Sequence, residues 1–314
     1  MPLYKLFIGK ILNSIVKYIR KEILAEYIYK GAFMHSPLEI AQNYVEVCIH
    51  KVRLSALKML VLGIFAGIFI SLAGVAATTI AVTIENPTLS RILSAAIFPA
   101  GLCMVLIAGS ELFTGNTLII MALLEGKVTP GQMFKNWFFV LLGNTLGTLL
   151  VSVLVVYGHT PSLYGNALAE SMVSIAQAKV SLGFGDAFIR GILCNILVCL
   201  AVWMSFAAKH VEGKVMISYF PIFIFVLCGF EHSIANMYYL FTGIFTATEY
   251  QIAAEGLNLF TAFFHNLLPV TLGNVVGGCG IIGFGYWAMY LSRTPGSPVS
   301  KEAEQEELQH AEEY

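Results

Sequence analysis

The chain has 314 residues, 57% of them apolar and only 12% charged, with mean hydropathy +0.77 and a formal net charge of −1. A soluble domain carries roughly twice that charged fraction. So much apolar surface cannot face water, which excludes soluble enzymes and nucleic-acid binders and points to a bilayer.

The near-neutral total hides an asymmetry. Nine of the 18 Lys and Arg precede residue 59, and six acidic residues crowd 302–313. None of the six cysteines has CxxC spacing, so neither a disulfide framework nor a zinc site is indicated, and no cofactor is expected. Residues 1–54 read as an amino-terminal cytoplasmic or interfacial segment, 55–293 as a six-span body and 294–314 as an acidic cytoplasmic tail. Residues 1–30 interleave Lys with apolar residues and lack the uninterrupted apolar run of a signal peptide. They read as an amphipathic helix on the inner membrane surface, or as a targeting or oligomerisation arm.

Six apolar segments are long enough to cross the hydrocarbon, near 56–82, 92–124, 135–157, 188–208, 215–247 and 259–291. The second, fifth and sixth are interrupted. The interruptions are Gly115 and Asn116 in the second, Glu231, His232 and Asn236 in the fifth, and Asn274, Gly277 and Gly278 in the sixth. Irregular backbone at membrane depth is tolerated only where it is buried in protein or lines a cavity. With a cytoplasmic amino terminus, 15 Lys and Arg fall inside, against Arg91, Lys179 and Arg190 outside, so both termini are expected in the cytoplasm of a cell whose plasma membrane holds the protein.

The halves share a pattern that hydropathy alone does not produce. Gly109–Asn116 and Gly229–Asn236 both read G-x-E-x4-N, while Asn136–Gly147 and Asn266–Gly277 both read N-x7-N with GNxxG. With three spans per half, the copies are inverted, and such repeats put a substrate path between them near the midplane.

At these residues the chain resembles the formate/nitrite transporter family. The resemblance runs over roughly 36–292, from Ser36-Pro37-Leu38-Glu39-Ile40 through Glu111-Leu112-Phe113-Thr114, Lys135-Asn136-Trp137 and Ala201-Val202-Trp203-Met204 to Gly229-Phe230-Glu231-His232-Ser233-Ile234-Ala235-Asn236 and the GNVVGG stretch. It implies an all-α, aquaporin-like membrane protein: six transmembrane helices in two inverted three-helix repeats, spans two and five broken, assembled as a homopentamer. Each subunit would pass small monovalent weak-acid anions. Hydrosulfide is the first expectation for the substrate, formate the second and nitrite the third.

His232 stands out before any resemblance, because an ionisable residue in an apolar span is costly and marks a functional site by default. Its bland alternative is a neutral ring bonded to a neighbouring helix. By resemblance it is the central pore histidine, giving a hydrogen bond or a proton to the anion. Asn195 and Asn274 match the flanking pore asparagines, whose amide donors could orient an anion without a buried charge, or could simply join packed helices. Thr114 matches the threonine that meets the histidine, and could also cap the half-helix after it. Lys179 matches an outer-vestibule lysine, or is a solvated loop residue.

The apolar constrictions come from the resemblance alone: Phe98, Leu102 and Phe225 outside, and Leu112, Phe113 and Val198 on the cytoplasmic side. Rings of this kind strip water from an ion and exclude hydrated salts. Glu111 and Glu231 hold equivalent repeat positions. A carboxylate would repel the anion, so capping of broken-helix amides or a bridge between subunits is expected of them.

Other classes fit less well. A water or glycerol channel would carry Asn-Pro-Ala at its half-helix starts, where this chain has Gly115-Asn116 and Ala235-Asn236. HExxH is absent, and Gly109-Ser110-Glu111 is not the setting of a nucleophilic serine. A proton-coupled symporter stays open as the alternative to a passive channel, with His232 carrying the coupled proton.

Overall fold

A computed structural model describes residues 34–292; the amphipathic arm and the acidic tail read from the sequence lie outside the described residues. We number the helices α1 (Pro37–Arg53), α2 (Ala56–Ala81), α3 (Pro87–Ala108), α4 (Phe113–Leu124), α5 (Pro130–Tyr157), α6 (Ala167–Val180), α7 (Phe184–Ser205), α8 (Val211–Cys228), α9 (Ser233–Glu249) and α10 (Leu259–Tyr290). Of these, α2, α3, α5, α7, α8 and α10 are long and apolar enough to cross a membrane. Leu154, Phe220, Phe260 and Phe138 lie on an exposed apolar exterior, as lipid-facing residues do.

Helix α1 packs into the helical body. Ser36 and Glu39 form a reciprocal capping box, Pro37 takes the first helical position, and Ile40, Ala41, Tyr44, Val45, Cys48 and Val52 are buried. The Tyr44 hydroxyl donates to the Gly115 carbonyl at 3.2 Å. The chain ahead of α1 is tied down by an antiparallel bridge between Met34 and Ala208 and by the His35 N–H on the Ala207 carbonyl at 2.8 Å.

Close packing in each half depends on glycine. Gly63 and Gly67 of α2 meet Gly143 and Gly147 of α5, with backbone so near that a Cβ on Gly67 would strike the Asn144 carbonyl and one on Gly147 the Ile64 carbonyl. Gly191 of α7 meets Gly273 of α10 in the same way, and a Cβ on Gly277 would strike the Ile192 carbonyl. Without a hydrophobic drive between helices in lipid, such approach is what van der Waals packing requires.

The interruptions differ from the sequence reading. In the second span the break lies at 109–112, and Gly115 and Asn116 are inside α4, which tightens to a 3₁₀ turn at Thr117–Ile119. In the fifth span the break covers 229–232, with Asn236 inside α9. Gly109 (φ 82°) and Gly229 (φ 70°) end the preceding helices in a left-handed or similarly glycine-favouring backbone. The sixth span does not break; α10 widens to π geometry at Ala262–Leu267 and Val276–Gly283. Glycines alone do not stop a helix whose amides still find carbonyls within the same segment.

Candidate functional site

The two breaks are built alike. Leu112 (φ −109°, ψ 122°) and His232 (φ −105°, ψ 118°) are the last extended residues before α4 and α9. Asn144 Oδ1 accepts the Phe113 N–H at 2.9 Å, and its Nδ2 donates to the Gly63 and Glu111 carbonyls at 2.8 and 2.9 Å. Asn274 does the same around the other break: Oδ1 accepts Ser233 N–H at 2.9 Å, and Nδ2 donates to the Gly191 and Glu231 carbonyls at 2.8 and 3.0 Å. Unmade backbone bonds at this depth would be costly, and one carboxamide satisfies three of them. Both Asn274 amide protons are thereby committed to backbone carbonyls. Helix-start capping in the second span is done by Asn144, and the Thr114 side chain makes no cap bond.

Behind each break sits a matched polar cluster. Lys51 Nζ donates to Glu111 Oε1 at 2.7 Å, Asn116 Nδ2 donates to Glu111 Oε2 at 2.6 Å and to Asn136 Oδ1 at 2.8 Å, and Asn136 Nδ2 returns to the Lys51 carbonyl at 3.3 Å. Lys179 Nζ donates to both Glu231 oxygens at 3.1 and 2.9 Å, Asn236 Nδ2 to Glu231 Oε2 at 2.6 Å and Asn266 Oδ1 at 2.8 Å, and Asn266 Nδ2 to the Lys179 carbonyl at 3.1 Å. Each buried carboxylate is therefore paired and hydrogen-bonded, as burial of a charge requires. Among the described residues neither glutamate side chain caps a helix amide; Glu111 binds Lys51 and Asn116, and Glu231 binds Lys179, Asn236 and Asn266. Lys179 is the penultimate residue of α6, a helix that hydropathy does not reveal because it does not span.

Between the breaks the likeness of the halves stops. Leu112 occupies in the first break the place of His232 in the second, and Ile234 occupies in α9 the place of Thr114 in α4. Thr114 Oγ1 and His232 Nε2 are 2.9 Å apart, with both residues buried. His232 Nδ1 accepts the Ala235 N–H at 3.1 Å as the N-cap of α9. Accepting that bond requires an unprotonated Nδ1, so the neutral ring carries its proton on Nε2 and donates it to Thr114. The Thr114 hydroxyl proton is then free for another acceptor.

Asn195 Nδ2 lies near three acceptors, the Asn274 carbonyl at 2.6 Å and the Thr114 carbonyl and Thr117 Oγ1 at 3.2 Å each. Gly278 permits this crowding, because a Cβ there would collide with Thr117 Oγ1 and Asn195. The sequence reading does not single out Thr117. Its hydroxyl donates to the Thr114 carbonyl at 2.6 Å and lies 3.4 Å from Cys199 Sγ.

A cavity of about 940 Å³ has His232, Phe98, Phe225, Tyr239, Lys179 and Glu231 among its lining residues. Phe98 sits at the Pro99 kink of α3 and meets Phe225 edge to face at 5.7 Å; Phe225 in turn stacks on His232 at 6.0 Å. Leu102 is buried one turn along α3. Leu112, Phe113 and Val198 are buried, with Phe113 edge-on to Trp137 at 5.8 Å. Arg91 and Arg190, which the sequence distinguishes only as outside charges, line the same cavity.

A formate/nitrite transporter family model matches residues 38–288. The chain belongs to the formate/nitrite transporter family. This multi-pass transporter is 36% identical over 272 residues to the formate channel FocA of Haemophilus influenzae, covering 82% of this chain and 95% of that one. It is also 36% identical over 258 residues to the uncharacterized transporter YrhG of Bacillus subtilis, covering 81% and 93%. Among solved structures, a pentameric formate channel with formate bound superposes with a TM-score of 0.67 at 34% identity, covering 76% of this transporter and 98% of that chain.

Proposed function

We propose that this transporter is a passive channel for small monovalent weak-acid anions, assembled as a homopentamer in the cytoplasmic membrane with both termini inside. The observation that carries the reading is the buried Thr114–His232 pair at the junction of two broken spans, next to a cavity lined by the Phe98–Phe225 pair. Formate takes first place as substrate, because the relative FocA of Haemophilus influenzae is a formate channel and the similar solved structure is a pentameric formate channel with formate bound. Hydrosulfide, first in the sequence reading, and nitrite stand as further weak-acid anions of similar size.

In this reading the anion sheds water between the apolar side chains and meets the Thr114 hydroxyl, polarised by His232 Nε2–H. His232 acts chiefly as a hydrogen-bond donor. Giving up its only proton would leave an imidazolate unless Nδ1 gained one, and that gain would displace the Ala235 amide. Proton delivery to the anion therefore requires loosening of the α9 cap. Asn274 acts through the break it holds, Asn195 through its bonds to the Thr114 and Asn274 carbonyls, and Leu112, Phe113 and Val198 form the cytoplasmic constriction.

The proton-coupled carrier keeps the same residues but needs that loosening in every cycle. Stopped-flow uptake into proteoliposomes separates the two, with formate, hydrosulfide, nitrite and chloride compared at two pH values and His232→Asn alongside. Protein-free liposomes correct for neutral hydrogen sulfide. Downhill formate flux without a proton gradient, no chloride flux and altered flux in the variant support the channel. Flux strictly dependent on a proton gradient supports the carrier, and no protein-dependent flux of any anion overturns both.

A further inference from the structure

Five charged residues line the cavity: Arg91, Arg190 and Lys179, with Glu170 and Glu231 against them. Lys179 is spent on Glu231, which it holds with two bonds of 3.1 and 2.9 Å, and it also lies 5.4 Å from the Tyr239 ring centre. That pair is neutral as a unit and presents little field to an arriving anion. Arg91 and Arg190 differ: among the described residues neither forms an ion pair or a side-chain hydrogen bond. The cavity thus holds two uncommitted guanidinium groups against one uncommitted carboxylate, Glu170.

Both arginines are placed at the second break. Gly229, its first residue, lies so near the Arg91 guanidinium that a Cβ there would sit 2.7 Å from a terminal nitrogen. The Arg190 carbonyl accepts the Glu231 N–H at 3.3 Å, which fastens the backbone of α7 to the break one residue before His232. One cation is thus carried by α3 and the other by α7, in the cavity that Phe98 and Phe225 also line. A guanidinium is planar, always charged and less strongly hydrated than an ammonium, and its forked donors match a carboxylate. Both arginines are exposed, so solvent screens their attraction and a captured ion can leave again.

We propose that Arg91 and Arg190 form the capture site for small monovalent carboxylates in the outer cavity, and that Lys179, named from the sequence, is a structural partner of Glu231. This deepens the channel reading and rests on it. The site raises the local anion concentration ahead of the apolar constriction and takes no part in the step past His232.

The test is formate flux into proteoliposomes as a function of formate concentration and ionic strength, for the wild type, Arg91→Gln, Arg190→Gln and the two Arg→Lys variants. Each Gln variant should raise the half-saturating formate concentration roughly three- to tenfold at low ionic strength and leave maximal flux unchanged. The Lys variants should recover most of the loss, and high salt should bring the wild type toward the Gln variants. Wild-type half-saturation in both Gln variants overturns the proposal. So does a fall in maximal flux at unchanged half-saturation, because that marks a packing role. A wild-type protein with no formate flux speaks against the channel reading itself, before any variant is compared.

Discussion

His232 Nε2 and Thr114 Oγ1 lie 2.9 Å apart although 118 residues separate them. The bond joins the second break to the half-helix that follows the first, and it replaces the Leu112 and Ile234 found at the corresponding places. The two halves are alike in the groups that hold the backbone together and differ where an anion could be handled.

Thr114→Val should leave the His232 Nε2–H without a partner in a buried site, at a cost of about 1–3 kcal/mol. Formate flux should fall about tenfold, the range of one strong hydrogen bond, while Thr114→Ser keeps most of it. Proteoliposome flux and the thermal midpoint of the purified protein are the measurements; equal flux in the Val variant would remove the hydroxyl from the path.

Lys51→Met strands the Glu111 carboxylate, and Lys179→Met strands Glu231. Removing one partner of a buried pair costs about 3–5 kcal/mol. Both variants should lose thermal stability, and the doubles Lys51→Met with Glu111→Gln and Lys179→Met with Glu231→Gln should regain part of it. Thermal midpoints in detergent across the double-mutant cycle check this, and additive losses would mean that the pairs do not couple.

Gly67→Ala and Gly277→Ala each drive a methyl into a carbonyl of the facing helix, Asn144 in one case and Ile192 in the other. Overpacking of this kind costs about 1–3 kcal/mol. Gly131→Ala, with open space around its Cβ, is the control and should leave the thermal midpoint near the wild-type value.

The α1 cap should respond to acid. The Ser36 N–H, and after it the Ser36 hydroxyl, hold the Glu39 carboxyl below its ordinary value of 4.5. A lowered folded value means that the contribution to stability is fully present above the ordinary carboxylate range and disappears as pH falls through the lowered value. Amide exchange at the start of α1 should therefore be protected near neutral pH, once corrected for its intrinsic rate, and less so in acid. Glu39→Gln, which keeps an acceptor without the charge, should flatten that dependence.

Much of the architecture was legible because lipid imposes a simple rule. About 20 apolar residues make a span, and a span with an acid, a histidine and an asparagine inside it needs a reason. The second, fifth and sixth spans read as interrupted, the fifth on that ground through Glu231, His232 and Asn236, while the sixth runs unbroken from Leu259 to Tyr290. The positions of the breaks were less legible. Gly115 and Asn116 continue a helix because their amides find carbonyls in the same segment, while Gly109 ends one through its positive φ and the Asn144 carboxamide takes up what is left.

Composition and periodicity by themselves determined that this chain lives in a bilayer, how many times it crosses and which polar residues fall inside its spans, because each of these is a local cost in hydrocarbon. Only the tertiary structure decided the partners. Lys51 reads as one more basic residue near the membrane surface until α1 folds it onto Glu111, and Lys179 reads as a free cation until α6 delivers it to Glu231. Arg91 and Arg190 pair with no acid among the described residues, although Glu170 lines the same cavity. Charge pairing is a matter of which side chains meet across helices, and no spacing along one strand of sequence records it.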